Sequence, residues 1–562
     1  MTDNPADLVV TNGKIITVDP GDSLAEAVAV RGNRIAAVGG AAEISTLTGP
    51  NTRVIDAGGK AVIPGLIDGH SHMDREGLKP VFPSLSGCGS IDDVLQRLKA
   101  LADKAAPGEW VVTMPIGEPP YYWDTPNNLR EKRYPTRWEL DEVAPNNPVY
   151  IRPIWGYWRH IQPLDSVANS RALELAGIDS KFQSPSEEIE FERDAESGDY
   201  NGVIHEWTYM PIAELSYFAM APGFTHDDRV AGIKRAMTIL NSTATTSVLE
   251  EHGAARDLIQ AYQEVNQAGV ASVRANLVFS PSWGGPEKPD YEKVLASWGG
   301  WLGGQGLGHD MLRVAGMYTE YGISLESALR SKSSPYNGWS GFNYDCGVPR
   351  ERMKEFLLEA ARNKIRVCTI TINYLDLYEE VHREVPIDGM RWVIGHLDCV
   401  TEDQARRIAD MGVVMTTHTN RYIYKQSHIT RDEIGVENEH LIVPLRMLLD
   451  SGVNVGLATD NVPTTLFYPI WQTVSRHNMH LKAPVGLGQR LGREDALRCA
   501  TMGGAYLTFE EDRKGSIEDG KLADLAVLTD DPLTCAEDDL KDIKAETTIV
   551  DGRIVYQRED AQ

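Results

Sequence analysis

Pro64-Gly65-Leu66-Ile67-Asp68-Gly69-His70-Ser71-His72 is the stretch that decides the reading of this chain. It has the texture of a buried apolar strand, punctuated by Pro and Gly, that runs into two histidines two residues apart. Side chains at i and i+2 of a strand share a face, so His70 and His72 can present two imidazoles to one ion. Neutral imidazole is a common ligand for zinc, iron, nickel and similar metals. A lone His-x-His is weak on spacing alone; further His and Asp residues behind later apolar runs strengthen it.

Working outward, residues 7–60 read as short strands broken by Asn12-Gly13, Pro20-Gly21 and Gly32-Asn33. The last ~50 residues repeat that texture, with Asp551-Gly552 as a tight hairpin turn. The two ends are expected to complete one small β-sandwich domain, residues 1–63 with 506–562. Between them the pattern changes to apolar strands followed by helical stretches. After the strand ending at His72, strands are expected at 149–152, 246–249, 312–315, 367–370, 392–395, 413–416 and 453–458, the last three leading to His396, His418 and Asp460. Eight such units over 64–505 predict an α/β fold, a (β/α)8 TIM barrel, whose catalytic groups lie at the C-terminal strand ends. A long insertion is expected at about 78–148, and a second irregular stretch, 280–307, carries Trp283, Trp298 and Trp301. Such loops either form lids over a barrel mouth or pack around it.

The 562 residues, 42% apolar, support a large core, and no run reaches the ~18 apolar residues of a membrane helix. A net charge of −26 argues against nucleic acid and anionic membranes as partners. Six scattered cysteines without C-x-x-C spacing and a polar, acidic Met1-Thr2-Asp3-Asn4-Pro5 fit a cytoplasmic, reduced setting.

The segments Val54-Ile55-Asp56-Ala57-Gly58-Gly59-Lys60, Pro135-Thr136-Arg137, Asn169-Ser170 and Gly515-Ser516-Ile517-Glu518, together with the His-x-His strand, resemble the amidohydrolase superfamily, and within it the large family that includes N-substituted formamide deformylase-like proteins. The resemblance covers nearly the whole chain. It implies a metal-dependent hydrolase acting on an amide-like C–N bond through activated water. It implies that His70 and His72 bind the metal, that Asp460 touches the metal or its water and acts as general base, and that His396 is a second-metal ligand or polarises the substrate. It also implies a homodimer or higher homo-oligomer.

Two departures from the family pattern stand out. Where many relatives carry a strand-four lysine, this chain has Met317, and no histidine ends strand five at Cys368-Thr369-Ile370. Glu320 is the candidate replacement ligand, with Glu250 and Glu251 as alternatives. His252 and His418 are pocket or outer-shell candidates, as is His160, and Trp155 and Trp158 are candidates for stacking on a planar, ring-containing substrate. The ion is a divalent metal, zinc first, with iron, manganese or nickel compatible, at one or two per chain. The missing ligands also admit a non-hydrolytic decarboxylase, lyase or isomerase on the same barrel.

Overall fold

The computed structural model describes residues 5–119, 122, 124–153, 162–184, 186–208, 211–283, 289–322, 338–339, 341–343 and 345–559. Its centre is a nearly closed barrel of eight parallel strands. They are β1 (Leu66–Asp68), β2 (Thr245–Ala254), β3 (Arg274–Phe279), β4 (Leu312–Tyr318), β5 (Val367–Thr369), β6 (Val393–Leu397), β7 (Val414–Thr417) and β8 (Val455–Gly456), paired in that order. The ring is stitched at the β8–β1 seam by Gly69 N to Leu457 O and Asp460 N to His70 O, both 2.9 Å. Strands enclosed in this way are buried on both faces, which is why they read as continuous apolar runs.

The order differs from the sequence expectation at one point. Residues Val149–Ile151 are not in the barrel: they pair with Val111–Thr113 and with Leu164–Ala168 in a separate five-stranded sheet. The inserted segment therefore does not end near 148, but continues through the strand Tyr200–Glu206 until helix His226–Ser242 returns the chain to the barrel. The place in the ring thereby freed is filled by β3, which the sequence reading missed. That helix lies against the short helix Met73–Leu78 at Gly77, where an added Cβ would fall 1.8 Å from Gly232 O. Only glycine permits this approach.

The chain ends form two further sheets. Ala61–Pro64, immediately before β1, pairs antiparallel with Leu525–Leu528, so the two ends meet in one sheet. Leu8 and Val28 of the other sheet share an apolar cluster with Val62, Leu525 and Ile549. Of the expected loop tryptophans, Trp283 stacks on Trp298 at 5.8 Å, and Trp298 and Trp301 pack edge-on against Phe279. These rings clothe the barrel wall. No helix among the described residues is long and apolar enough to cross a membrane.

Candidate metal centre

The C-terminal ends of β1, β2, β6, β7 and β8 bring together the histidines and carboxylates that the sequence places at strand ends. His70 and His72 leave β1 with their Nε2 atoms 3.2 Å apart. Both face the Asp460 carboxylate beyond β8, at 3.8 and 3.3 Å from Oδ1. His418 Nε2 and His396 Nε2 lie 3.2 and 3.9 Å from the other oxygen, Oδ2. His252, near the end of β2, completes the cluster: its ring is 5.3 Å from that of His70, stacks on Phe342 at 4.9 Å and meets Tyr318 edge-on at 4.7 Å. All these groups are buried.

The far side of each β1 imidazole is held by a neighbouring glutamate. Glu251 Oε2 lies 3.1 Å from His70 Nδ1 and accepts from Thr416 Oγ1 at 2.5 Å. Glu250 Oε2 lies 3.3 Å from His72 Nδ1, and its other oxygen accepts from Met73 N at 2.8 Å and from the Tyr262 hydroxyl. A carboxylate beside Nδ1 favours the tautomer with its proton there, leaving the lone pair on Nε2. Two such lone pairs and a carboxylate then converge on one point, an arrangement that calls for a cation. The pairing of β2 shifts register between Glu250 and Ala254, and three successive residues, Glu250, Glu251 and His252, all serve the site. Glu251 finds room because residue 395 is glycine: a Cβ there would sit 2.1 Å from Oε1.

Asp68 and Asn461 fix the seam. Asp68 accepts from Thr459 N and Oγ1 at 3.0 and 2.5 Å and from His70 N at 3.1 Å; burial outweighs these bonds and pushes its carboxyl up to about 6. Asn461 accepts from His72 N at 2.7 Å and donates to His72 O at 2.8 Å. His396, Asp460 and Asn461 have φ of 51°, 48° and 62°, a left-handed conformation uncommon for non-glycine residues.

The electrostatics suit metal ligation. Burial holds His252 and His396 well below the ordinary imidazole range, and it takes His418 down to about 3. At neutral pH these rings are uncharged and able to ligate. Burial also opposes charge on His70, but the Glu251 and Asp460 carboxylates outweigh it and raise its pKa. The carboxylates favour positive charge at this point, which a bound divalent ion would supply in place of a proton. For Asp460, burial is overcome by the surrounding imidazoles, which keep it ionised far below the usual carboxylate range. Among the described residues, two triads have ligand atoms within 4.8 Å of one another: His70, His72 and Asp460, and His70, His252 and His396. The donor set fits a divalent ion.

Glu320 is not in either triad. β4 ends at Tyr318 and the chain turns aside, with Val348 N donating to Glu320 O at 2.9 Å and the Tyr318 hydroxyl to its carboxylate at 3.1 Å. The carboxylates that support the centre are those of β2, and Met317 is packed in the apolar core. Trp155, Trp158 and His160 lie outside the described residues. Sequence reasoning passed over Arg75, whose Nη1 is 3.7 Å from Asp460 Oδ1, and Lys425, buried on the π-helical turn Asn420–Lys425 after β7. The spacing of Arg75, three residues beyond His72, was the available signal.

Comparison with known proteins agrees with this geometry. The amidohydrolase family profile matches residues 53–556, and the chain belongs to that family. It is thus an enzyme, a metal-dependent hydrolase of carbon–nitrogen bonds. It is 29% identical to N-substituted formamide deformylase of Arthrobacter pascens over 98% of both chains. An uncharacterized metal-dependent hydrolase from Pyrococcus horikoshii OT3 has the same fold, with a TM-score of 0.66 and 21% identity over 94% of this chain and 99% of that one. Atrazine chlorohydrolase TrzN from Arthrobacter aurescens TC1, solved with zinc, superposes with a TM-score of 0.50 at 16% identity over 98% and 95%.

Proposed function

We propose that the protein hydrolyses an amide-like C–N bond, as in an amide, formamide, cyclic amide or carbamate, of a small ring-containing substrate, with zinc as the resident ion. The observation that carries this reading is the convergence of His70 Nε2, His72 Nε2 and the Asp460 carboxylate at the barrel mouth, with His252 and His396 beside them. Imidazole and carboxylate donors suit zinc. A divalent ion held there polarises a carbonyl and lowers the pKa of water.

The rest falls to the chain's own residues. Asp460, ionised and aimed into the cluster, takes the proton of the attacking water and returns it to the leaving nitrogen. His396 and His418, both uncharged, line the same carboxylate and orient the carbonyl oxygen. Glu250 and Glu251 hold the β1 imidazoles in position. Leu78, Met114, Tyr122, Phe224, Trp339 and Val462 pack into one buried apolar cluster that joins the insertion to the residues just past Asp460, and apolar surroundings of this kind support a ring-bearing substrate kept from water. We read the two end sheets as one small sandwich domain and the assembly as a homo-oligomer.

The test is a panel of formamides, amides, lactams and carbamates, run in 18O-labelled water with metal-loaded protein. Amine release with label in the acid product is expected. Turnover without label would replace hydrolysis by a lyase, decarboxylase or isomerase reaction, and inertness across the panel would end the proposal.

A further inference from the structure

The two imidazoles of β1 are backed by neighbouring residues of one strand, yet the backing is built differently for each. Glu251, behind His70, is steadied by Thr416 of β7, so its brace comes from elsewhere in the ring. Glu250, behind His72, is steadied from its own βα unit. β2 ends at Ala254, and the helix Arg256–Gln267 begins two residues later. Its buried positions Leu258, Ala261, Tyr262 and Val265 recur at i, i+3, i+4 and i+7, which makes one stripe that faces the barrel. Tyr262 on that stripe is 2% exposed, and its hydroxyl donates to Glu250 Oε1. The same oxygen accepts from Met73 N, one residue past His72, at 2.8 Å, and Oε2 stands 3.3 Å from His72 Nδ1.

Burial, and after it the Glu250 charge, push the Tyr262 phenol well above its ordinary range, so it keeps its proton and donates it to the carboxylate. A hydrogen bond to an ionised acceptor is stronger than a neutral one and fixes the direction of that acceptor. The two oxygens of Glu250 are thus divided: Oε1 is anchored, and Oε2 is presented to the imidazole. A second buried phenol makes the contrast. Tyr378, on the helix Leu375–Glu384, shares a 3.0 Å hydrogen bond with Thr369 Oγ1 and lies 3.4 Å from Val393 O, so both of its partners are uncharged groups of the barrel strands. Tyr378 ties helix to wall, whereas Tyr262 ends on the carboxylate that faces a ligand imidazole.

We propose that Tyr262 is a positioning residue of the metal centre: through Glu250 it holds His72 with its proton on Nδ1 and its lone pair on Nε2, aimed at the ion. Tyr262 touches neither the ion nor a substrate, and its effect passes through one carboxylate. This role rests on His72 being a ligand and is independent of the substrate. The phenol and the carboxylate are twelve residues apart, on a helix and on the strand before it, so no periodic spacing links them.

The experiment is chelator competition for zinc on the full chain, with urea midpoints read beside it in excess chelator so that bound metal does not contribute. Tyr262→Phe is expected to lower zinc affinity about tenfold. Tyr378→Phe, at an equally buried phenol, should lower the urea midpoint and leave zinc affinity unaltered. In a Glu250→Gln background, Tyr262→Phe should add less than about a twofold loss, because its route to His72 is already cut. Unaltered zinc affinity in Tyr262→Phe, an equal loss in Tyr378→Phe, or the full Tyr262→Phe loss persisting beside Glu250→Gln overturns the proposal. If Glu250→Gln does not fold, the comparison of the two phenol variants decides. Zinc affinity that survives His72→Ala would remove the metal reading and this role with it. Inertness on the hydrolysis panel with the Tyr262 effect intact would remove the amide-hydrolysis reading alone.

Discussion

Histidine is used in opposite ways in two regions of this molecule. At the barrel mouth, His252, His396 and His418 face other imidazoles in a buried cluster, and burial strips them of charge, taking His418 to about 3. In the inserted sheet, His205 stands between two carboxylates, with Asp165 Oδ1 2.6 Å from Nδ1 and Glu192 Oε2 3.0 Å from Nε2. There burial is only partial, and the paired carboxylates raise its pKa to about 9. The first environment prepares neutral ligands; the second fixes a cation in a structural pair. What separates them is the number of carboxylates per imidazole and their access to water.

The sharpest way to break this contrast is at Asp460, the anion that holds the barrel imidazoles in one cluster. Asp460→Ala is expected to lower kcat by about 10²- to 10⁴-fold on whichever panel substrate is turned over, measured beside metal content. An unchanged kcat would remove Asp460 as base. A smaller effect is expected at Met317, the β4 residue at which the resemblance implies a lysine. Met317→Ala should cost about 2–5 kcal/mol of stability as a buried apolar truncation, read from urea midpoints, with metal content unaltered. Loss of metal instead would return β4 to the centre. Next comes Glu251→Gln, which weakens the support of His70 Nδ1. Metal affinity should fall about 10- to 100-fold in chelator competition, while the fold persists.

Those expectations also mark how much was legible in the sequence. Period-two spacing put His70 and His72 on one face, and the run of apolar strands in a barrel put these two, His396 and Asp460 at strand ends on one rim. β3 was hidden because its apolar run opens on Arg274 and Asn276. These polar residues are satisfied from far along the chain: Arg274 by Asp524 at 2.7 and 2.9 Å, and Asn276 by Glu510 at 3.3 Å. Val149–Ile151 carried the same apolar texture and took its place in the count, since composition does not say which sheet a strand joins. Glu320 is close to Met317 in sequence, but it belongs to neither ligand triad. The support from Glu251 depends on a register shift and on the bare Gly395, neither of which leaves a periodic trace.

The smallest effect tests the other half of the contrast. An imidazole whose folded pKa of about 9 exceeds its unfolded value near 6.5 binds its proton more tightly in the native state. Its stabilising contribution is therefore complete below about pH 6.5, shrinks as pH rises, and is gone above about 9. Glu192 is substantially exposed, so screening by water reduces the expected contribution to about 1 kcal/mol. Asp165 is the stronger partner: it is buried and also accepts from the Tyr134 hydroxyl at 2.7 Å. Urea unfolding of native protein and of His205→Gln at pH 6 and pH 9.5 should show the native chain ahead at the lower pH and the two alike at the higher. A native advantage that instead grew with pH would mean that His205 is held neutral, as His252, His396 and His418 are, and the two regions would then follow one rule.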